Sequence, residues 1–278
     1  MTPLETENQR VTGPGELSPA VIKQCCAAVY DSEAAKLLLG DSFHPGGAEL
    51  TGRLGEILDL RPHMRVLDVA AGRGTSAIAL ATSFGCEVIG IDYSQRNIEA
   101  AKRDARERGL NAKLTFYRGD AERLPFADSS FDAIVCECAL CTFPNKQSAA
   151  AEFARVLRAG GRIGLSDLTR QGVLPPELDA LVSWVACIAD ALSLKDYEAL
   201  LTSAGLKILR TEEHNPALLD FVKQIRTRLL VVETMMGLKK LTLSGFDTAV
   251  VRDFMQRALD AIKTGKIGYA IIAAAKAE

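Results

Sequence analysis

No run of about 18 apolar residues occurs in this chain, so no transmembrane helix is expected. The first segment, Met1 to Gly15, is polar and lacks the apolar core of a signal peptide. A cytosolic location is therefore expected, with thiols mostly reduced. Net charge is nearly absent as well: the formal value is −2, with no basic stripe interleaved with aromatics. Nothing in the charge pattern favours nucleic acid as a partner. Internal repeats and low-complexity segments are lacking too. The seven cysteines read as free thiols or metal ligands rather than as a disulfide frame. What is present is ordinary globular composition, 48% apolar and 24% charged over 278 residues. That is enough for one large α/β domain with additions.

The most informative stretch is Val66-Leu67-Asp68-Val69-Ala70-Ala71-Gly72-Arg73-Gly74-Thr75. A short apolar strand ends in a small-residue turn, and a helix opens near Thr75. Asp92 follows at the end of a second strand, Val88 to Asp92. Strand, glycine turn, helix start and downstream acid together make a nucleotide-cofactor cradle. Glycines let backbone approach the ligand, and the exposed N–H groups of the helix start face it. Gly72, Gly74 and Ala77 also fit the G-x-G-x-x-A dinucleotide fingerprint. Three additions favour S-adenosylmethionine. Asp68 precedes the turn, where a carboxylate can meet an ammonium group. Gly119-Asp120-Ala121-Glu122 follows a third strand, where an acid can read an adenine amino group. Leu157 to Arg162 reads as a helix end and turn before a fifth strand.

These elements, over Leu50 to Leu168, resemble the class I S-adenosylmethionine-dependent methyltransferases with a quinone-biosynthesis-like core. The resemblance implies a Rossmann-like α/β fold: a seven-stranded, mainly parallel sheet with an N-terminal helical cover and a helical insertion before the last strand. It implies S-adenosyl-L-methionine as cofactor, with Asp68, Ala70, Gly72, Gly74, Asp92, Tyr93, Asp120, Ala121 and Glu137 as cofactor-binding residues. Ala70 departs from the family, which usually has glycine there.

Strands are expected at 65–70, 87–92, 113–118, 132–138, 161–167, 206–213 and 268–275. Residues 1–17 read as a flexible arm and 18–60 as the helical cover, with one helix from Ser18 to Leu39 and another from Thr51 to Leu60. Residues 61–214 form the cofactor-binding core, including an acceptor-side insertion at 175–192. Residues 215–278 supply a helical insertion and the final strand. In that insertion Leu218, Phe221, Val222, Ile225, Leu229 and Val232 recur at helical spacing. Core packing is the plainer reading of the stripe, and a lid or homodimer surface the functional one.

A narrower resemblance concerns cysteines. Cys138-Ala139-Leu140-Cys141-Thr142-Phe143-Pro144-Asn145-Lys146 resembles a metalloid-binding segment of arsenite methyltransferases. Ala186-Cys187-Ile188-Ala189-Asp190-Ala191-Leu192 resembles a second one. The resemblance makes Cys138 and Cys187 the catalytic and metalloid ligands, with Cys25 or Cys26 as a third. Trivalent arsenic is soft and suits thiolates. Its lone pair would attack the methyl group without a general base, which fits a chain of three histidines. An organic small-molecule C- or O-methyltransferase with merely structural cysteines, and a sensor without turnover, remain open. His44, before Pro45-Gly46-Gly47, reads as a closing or basic residue or as a plain turn. Tyr30, Trp184 and Glu137 are further candidates for the cleft.

Overall fold

The computed structural model describes residues 18–30, 32–40, 43–172, 188, 190–241, 243 and 247–278. Trp184 and Cys187 lie outside the described residues, as does the Cys25 side chain. Seven strands form one sheet: β1 (Arg65–Val69), β2 (Glu87–Asp92), β3 (Leu114–Arg118), β4 (Phe131–Glu137), β5 (Leu157–Arg170), β6 (Leu206–Glu213) and β7 (Ile267–Lys276). Their order is β3-β2-β1-β4-β5-β7-β6. Pairings from β3 to β5 are parallel, and β7 runs antiparallel to both β5 and β6. The order reverses between β1 and β4, the place where open α/β sheets bind ligands.

Helices α1 (Pro19–Tyr30), α2 (Glu33–Leu39) and α3 (Gly47–Ile57) precede the sheet. Helices α4 (Thr75–Phe84), α5 (Gln95–Glu107), α6 (Lys146–Val156) and α7 (Leu194–Ser203) connect strands. Helices α8 (Asn215–Gly237) and α9 (Thr248–Lys263) precede β7. Alternate strand residues feed two cores, as a sheet covered on both faces requires. Val66, Ala133 and Val135 join residues of α3, α4, α5, α8 and α9. Leu67, Ile134 and Cys136 join residues of α6 and α7. Among the described residues no helix is long and apolar enough to cross a membrane.

Three expectations need correction. The single cover helix is two, because Ser32 ends the first run and caps α2, its side chain accepting from Ala35 N at 3.1 Å. The next helix begins at Gly47 and ends at Ile57, not at 51 and 60. The expected turn at Leu157 to Arg162 is strand: α6 stops at Val156 and β5 starts at once, with a register shift against Phe131/Ala133. The expected helical insertion before β7 is present as α8 and α9, and Leu218, Val222, Leu229 and Val232 are buried in the core, as the packing reading of the stripe has it.

Candidate active site

The carboxyl ends of β1, β2 and β4 open into one cavity of about 160 Å³. Of the cofactor residues expected from the sequence, Asp68, Ala70, Gly72, Asp92, Tyr93, Asp120, Ala121 and Glu137 all line it. Gly74 stands behind the wall as the left-handed N-cap of α4. A Cβ there would meet the Phe116 ring at 2.8 Å, so only glycine fits this turn. Ala70 adopts φ 57 and Cys138 φ 51 at the ends of neighbouring strands. Such left-handed backbone costs an L-residue roughly 1–2 kcal/mol, and strain of this kind concentrates at functional clefts.

Asp92 is fixed by its own surroundings. Its carboxylate accepts from Gly72 N at 2.8 Å, Ser94 N at 2.8 Å and Asn97 Nδ2 at 3.3 Å. The acid therefore ties the glycine turn to the start of α5. Asp120 is an ion-pair partner: Lys23 Nζ of α1 lies 2.7 Å from it and 2.6 Å from Glu122. This bond fastens α1 over the cleft, where Cys26, Ala27 and Tyr30 also line the cavity. The partners stand 97 residues apart, and no local sequence signal points to the pairing.

Asp68 carries the strongest electrostatic feature. It is 2% exposed, and its Oδ2 has no hydrogen-bond partner. Burial, then the charges of Glu137 and Asp92, push its carboxyl well above the usual range. Glu137 ends β4. Its side chain is 3% exposed and accepts from Thr51 Oγ1 at 2.9 Å and Ser166 Oγ at 3.2 Å. Tyr269 OH donates to Ser166 Oγ at 3.0 Å in turn. The cleft is not empty of histidine either: His44 is buried, with Nε2 3.7 Å from Glu137 Oε2.

Cys26 and Cys138 line the same cavity, whereas Cys136 and Cys141 are buried. Burial and neighbouring carboxylates raise the Cys136 thiol well above its ordinary value, the state of an inert packing thiol. Among the described residues no group of three or more His, Cys, Asp or Glu side chains could hold a metal ion.

A family profile described as a methyltransferase domain matches residues 60–205. The chain belongs to the methyltransferase domain family. It is 36% identical over 172 residues to methyltransferase GfsG of Streptomyces halstedii, a match covering 61% of this chain and 62% of that protein. It is 28% identical over 264 residues to 27-O-demethylrifamycin SV methyltransferase of Amycolatopsis mediterranei, covering 89% and 95%. Its fold matches Haemonchus contortus phosphoethanolamine N-methyltransferase 2, solved with S-adenosyl-L-methionine, at TM-score 0.79 and 20% identity, covering 95% and 61%.

Proposed function

We propose that this chain transfers a methyl group from S-adenosylmethionine to a small organic acceptor. The observation that carries the reading is the buried, unpartnered oxygen of Asp68 in a cleft also lined by Glu137, Asp92 and Asp120. Acids outnumber the cations Lys23 and Arg73 that also line the cavity, which favours a ligand with positive groups over the pyrophosphate of a dinucleotide. S-adenosylmethionine fits that donor set: bound there, it supplies an electrophilic methyl group on a positively charged sulfur. In this assignment Asp68 receives the ammonium group. Asp92 and Tyr93 face the ribose and base, Asp120 and Ala121 the adenine, and the Ala70-to-Gly74 backbone passes beneath. Residues 61–214 hold the cofactor and α1 roofs it, its Tyr30 packed on Phe43 with ring centroids 5.9 Å apart. Excluding water there strengthens each charge interaction in the cleft.

An oxygen- or carbon-directed acceptor is favoured by the relatives, one of them named for O-demethylrifamycin. A second reading, trivalent arsenic held by thiolates, draws on Cys26 and Cys138 lining one cavity. Cys187, the ligand expected together with Cys138, falls outside the described residues. Calorimetry with S-adenosylhomocysteine and with NAD tests the cofactor, and preference for NAD would sink the proposal. Release of S-adenosylhomocysteine is then followed with hydroxylated organic acceptors and with arsenite plus glutathione. Turnover of arsenite alone, lost in Cys138→Ser, would replace the organic reading. Tight binding with no turnover of any acceptor would favour a sensor.

A further inference from the structure

Resting on the methyl-transfer reading, the placement of charge round the cavity points to the chemical class of the acceptor. Among the described residues two lysine or arginine side chains line the cavity, Lys23 and Arg73. Lys23 is fully engaged. Its Nζ lies 3.0 and 2.7 Å from the two Asp120 oxygens and 2.6 Å from Glu122 Oε2, so three carboxylate oxygens meet its three N–H bonds. Arg73 reaches towards α5, with Nη2 3.9 Å from Asp104 Oδ2. Lys146, at the start of α6, is engaged as well: its Nζ donates to the Phe143 carbonyl oxygen at 3.0 Å and to Asp190. Outside the described residues, Arg10 is the sole lysine or arginine in the sequence. The N-terminus of α4 also favours an anion, and on the reading above the cofactor's own carboxylate supplies one.

With the residues assigned to the cofactor set aside, the wall is chiefly Tyr30, Phe43, Cys138, Ala139, Thr142 and Phe143. Ala139 and Phe143 pack into the core shared with α6 and α7, so this side is firmly built. Glu137 beside them has one oxygen accepting from Thr51 and the other from Ser166. Its charge still acts across a cavity of low dielectric, where a second anion is repelled. We infer that the acceptor buries an uncharged, largely apolar body in this cavity and carries no phosphate or carboxylate there. An anionic group would need a cation that this wall does not offer, and burying it unpaired is costly. A cationic amine fares little better, because both Glu137 oxygens already accept hydrogen bonds. An aromatic and aliphatic wall gains instead from covering apolar surface.

The test uses small compounds paired so that charge is the main difference. Methyl 4-hydroxyphenylacetate is set against 4-hydroxyphenylacetate, 4-(2-hydroxyethyl)phenol against its alkyl phosphate monoester, and 4-propylphenol against tyramine. Calorimetry on the complex with S-adenosylhomocysteine reads binding without turnover, and initial rates with S-adenosylmethionine read transfer. Each neutral member is expected to bind at least about 100-fold more tightly than its anionic partner, with transfer following the same order. Glu137→Gln keeps the shape and removes the repelling charge, so it is expected to narrow that ratio about tenfold. A purely structural effect would weaken both members of a pair alike and leave the ratio where it was. Tighter binding of the anionic or aminated members, a ratio unmoved in Glu137→Gln, or no binding of any neutral member overturns this inference and leaves the methyltransferase reading standing. Failure of the wild type to bind S-adenosylhomocysteine sinks both.

Discussion

Asp68→Asn separates a binding carboxylate from a structural one, because the two roles give opposite signs. In the ligand-free chain the Asp68 carboxylate is buried, has one oxygen without a partner and faces Glu137 and Asp92. Its carboxylate accepts from the Ala77 backbone N–H, from which an asparagine oxygen can equally accept. Asparagine keeps the shape and removes the charge. An unsatisfied buried polar group costs about 1–3 kcal/mol, and the charged part of that cost disappears. Each kcal/mol regained raises the melting temperature by about 2–4 °C in a domain near this size. The sign with pH follows from the raised carboxyl. Its stabilising effect is complete below the ordinary value of 3.8 and is lost as pH rises through the folded value. The variant's advantage in melting temperature therefore widens as pH rises. Ligand binding moves the other way. Losing a charge-assisted hydrogen bond to an ammonium costs about 1.5–3 kcal/mol, or about 10- to 150-fold in affinity for S-adenosylhomocysteine. Binding to the wild type also drives a proton off Asp68, seen as a calorimetric heat that depends on buffer ionisation and vanishes in the variant. Thermal scans from acid to neutral pH and calorimetry in two buffers check all three. A lower melting temperature with unchanged affinity would refute the reasoning and make Asp68 a structural residue.

Three further outcomes are expected. Ala70→Gly relieves a residue held at φ 57. The gain of roughly 1–2 kcal/mol is partly offset by about 0.4–1 kcal/mol of unfolded-chain entropy, so denaturant titration should show a net stabilisation. Lys23→Met removes the bond from α1 to Asp120 and Glu122 at 2.6–3.0 Å. Loss of about 1 kcal/mol there should speed amide exchange in α1 and S-adenosylhomocysteine dissociation about fivefold; unchanged rates would show that the ion pair does not hold the roof. Glu212 is held down to about 2 by its hydrogen bonds to Arg53. That stability is present above the ordinary 4.5 and is lost as pH falls through about 2, so Arg53→Gln should move acid unfolding to higher pH.

The sheet was legible because buried parallel strands read as continuous apolar runs, and expected and observed bounds differ by a residue or two for β1 to β4. β5 was the exception: it starts at Leu157, yet Arg158 to Gly161 imitates a turn, and the register against β4 jumps from Leu157 to Arg162 across it. The glycine turn between β1 and α4 was legible for the same local reason, and Asp92 reaches back to it across 20 residues. By itself, then, the sequence determined the strand set, the glycine turn and the acids that line the cavity beside it. Those depend on hydrophobic period and backbone freedom, which act within a few residues. Only the tertiary structure decided what those acids face. Lys23 reaches Asp120 from another element, and Thr51, Ser166 and His44 enclose the Glu137 carboxylate, which its place at the end of β4 does not foretell. Charge interactions of this kind depend on distance and burial, and both are set by packing between segments far apart in the chain.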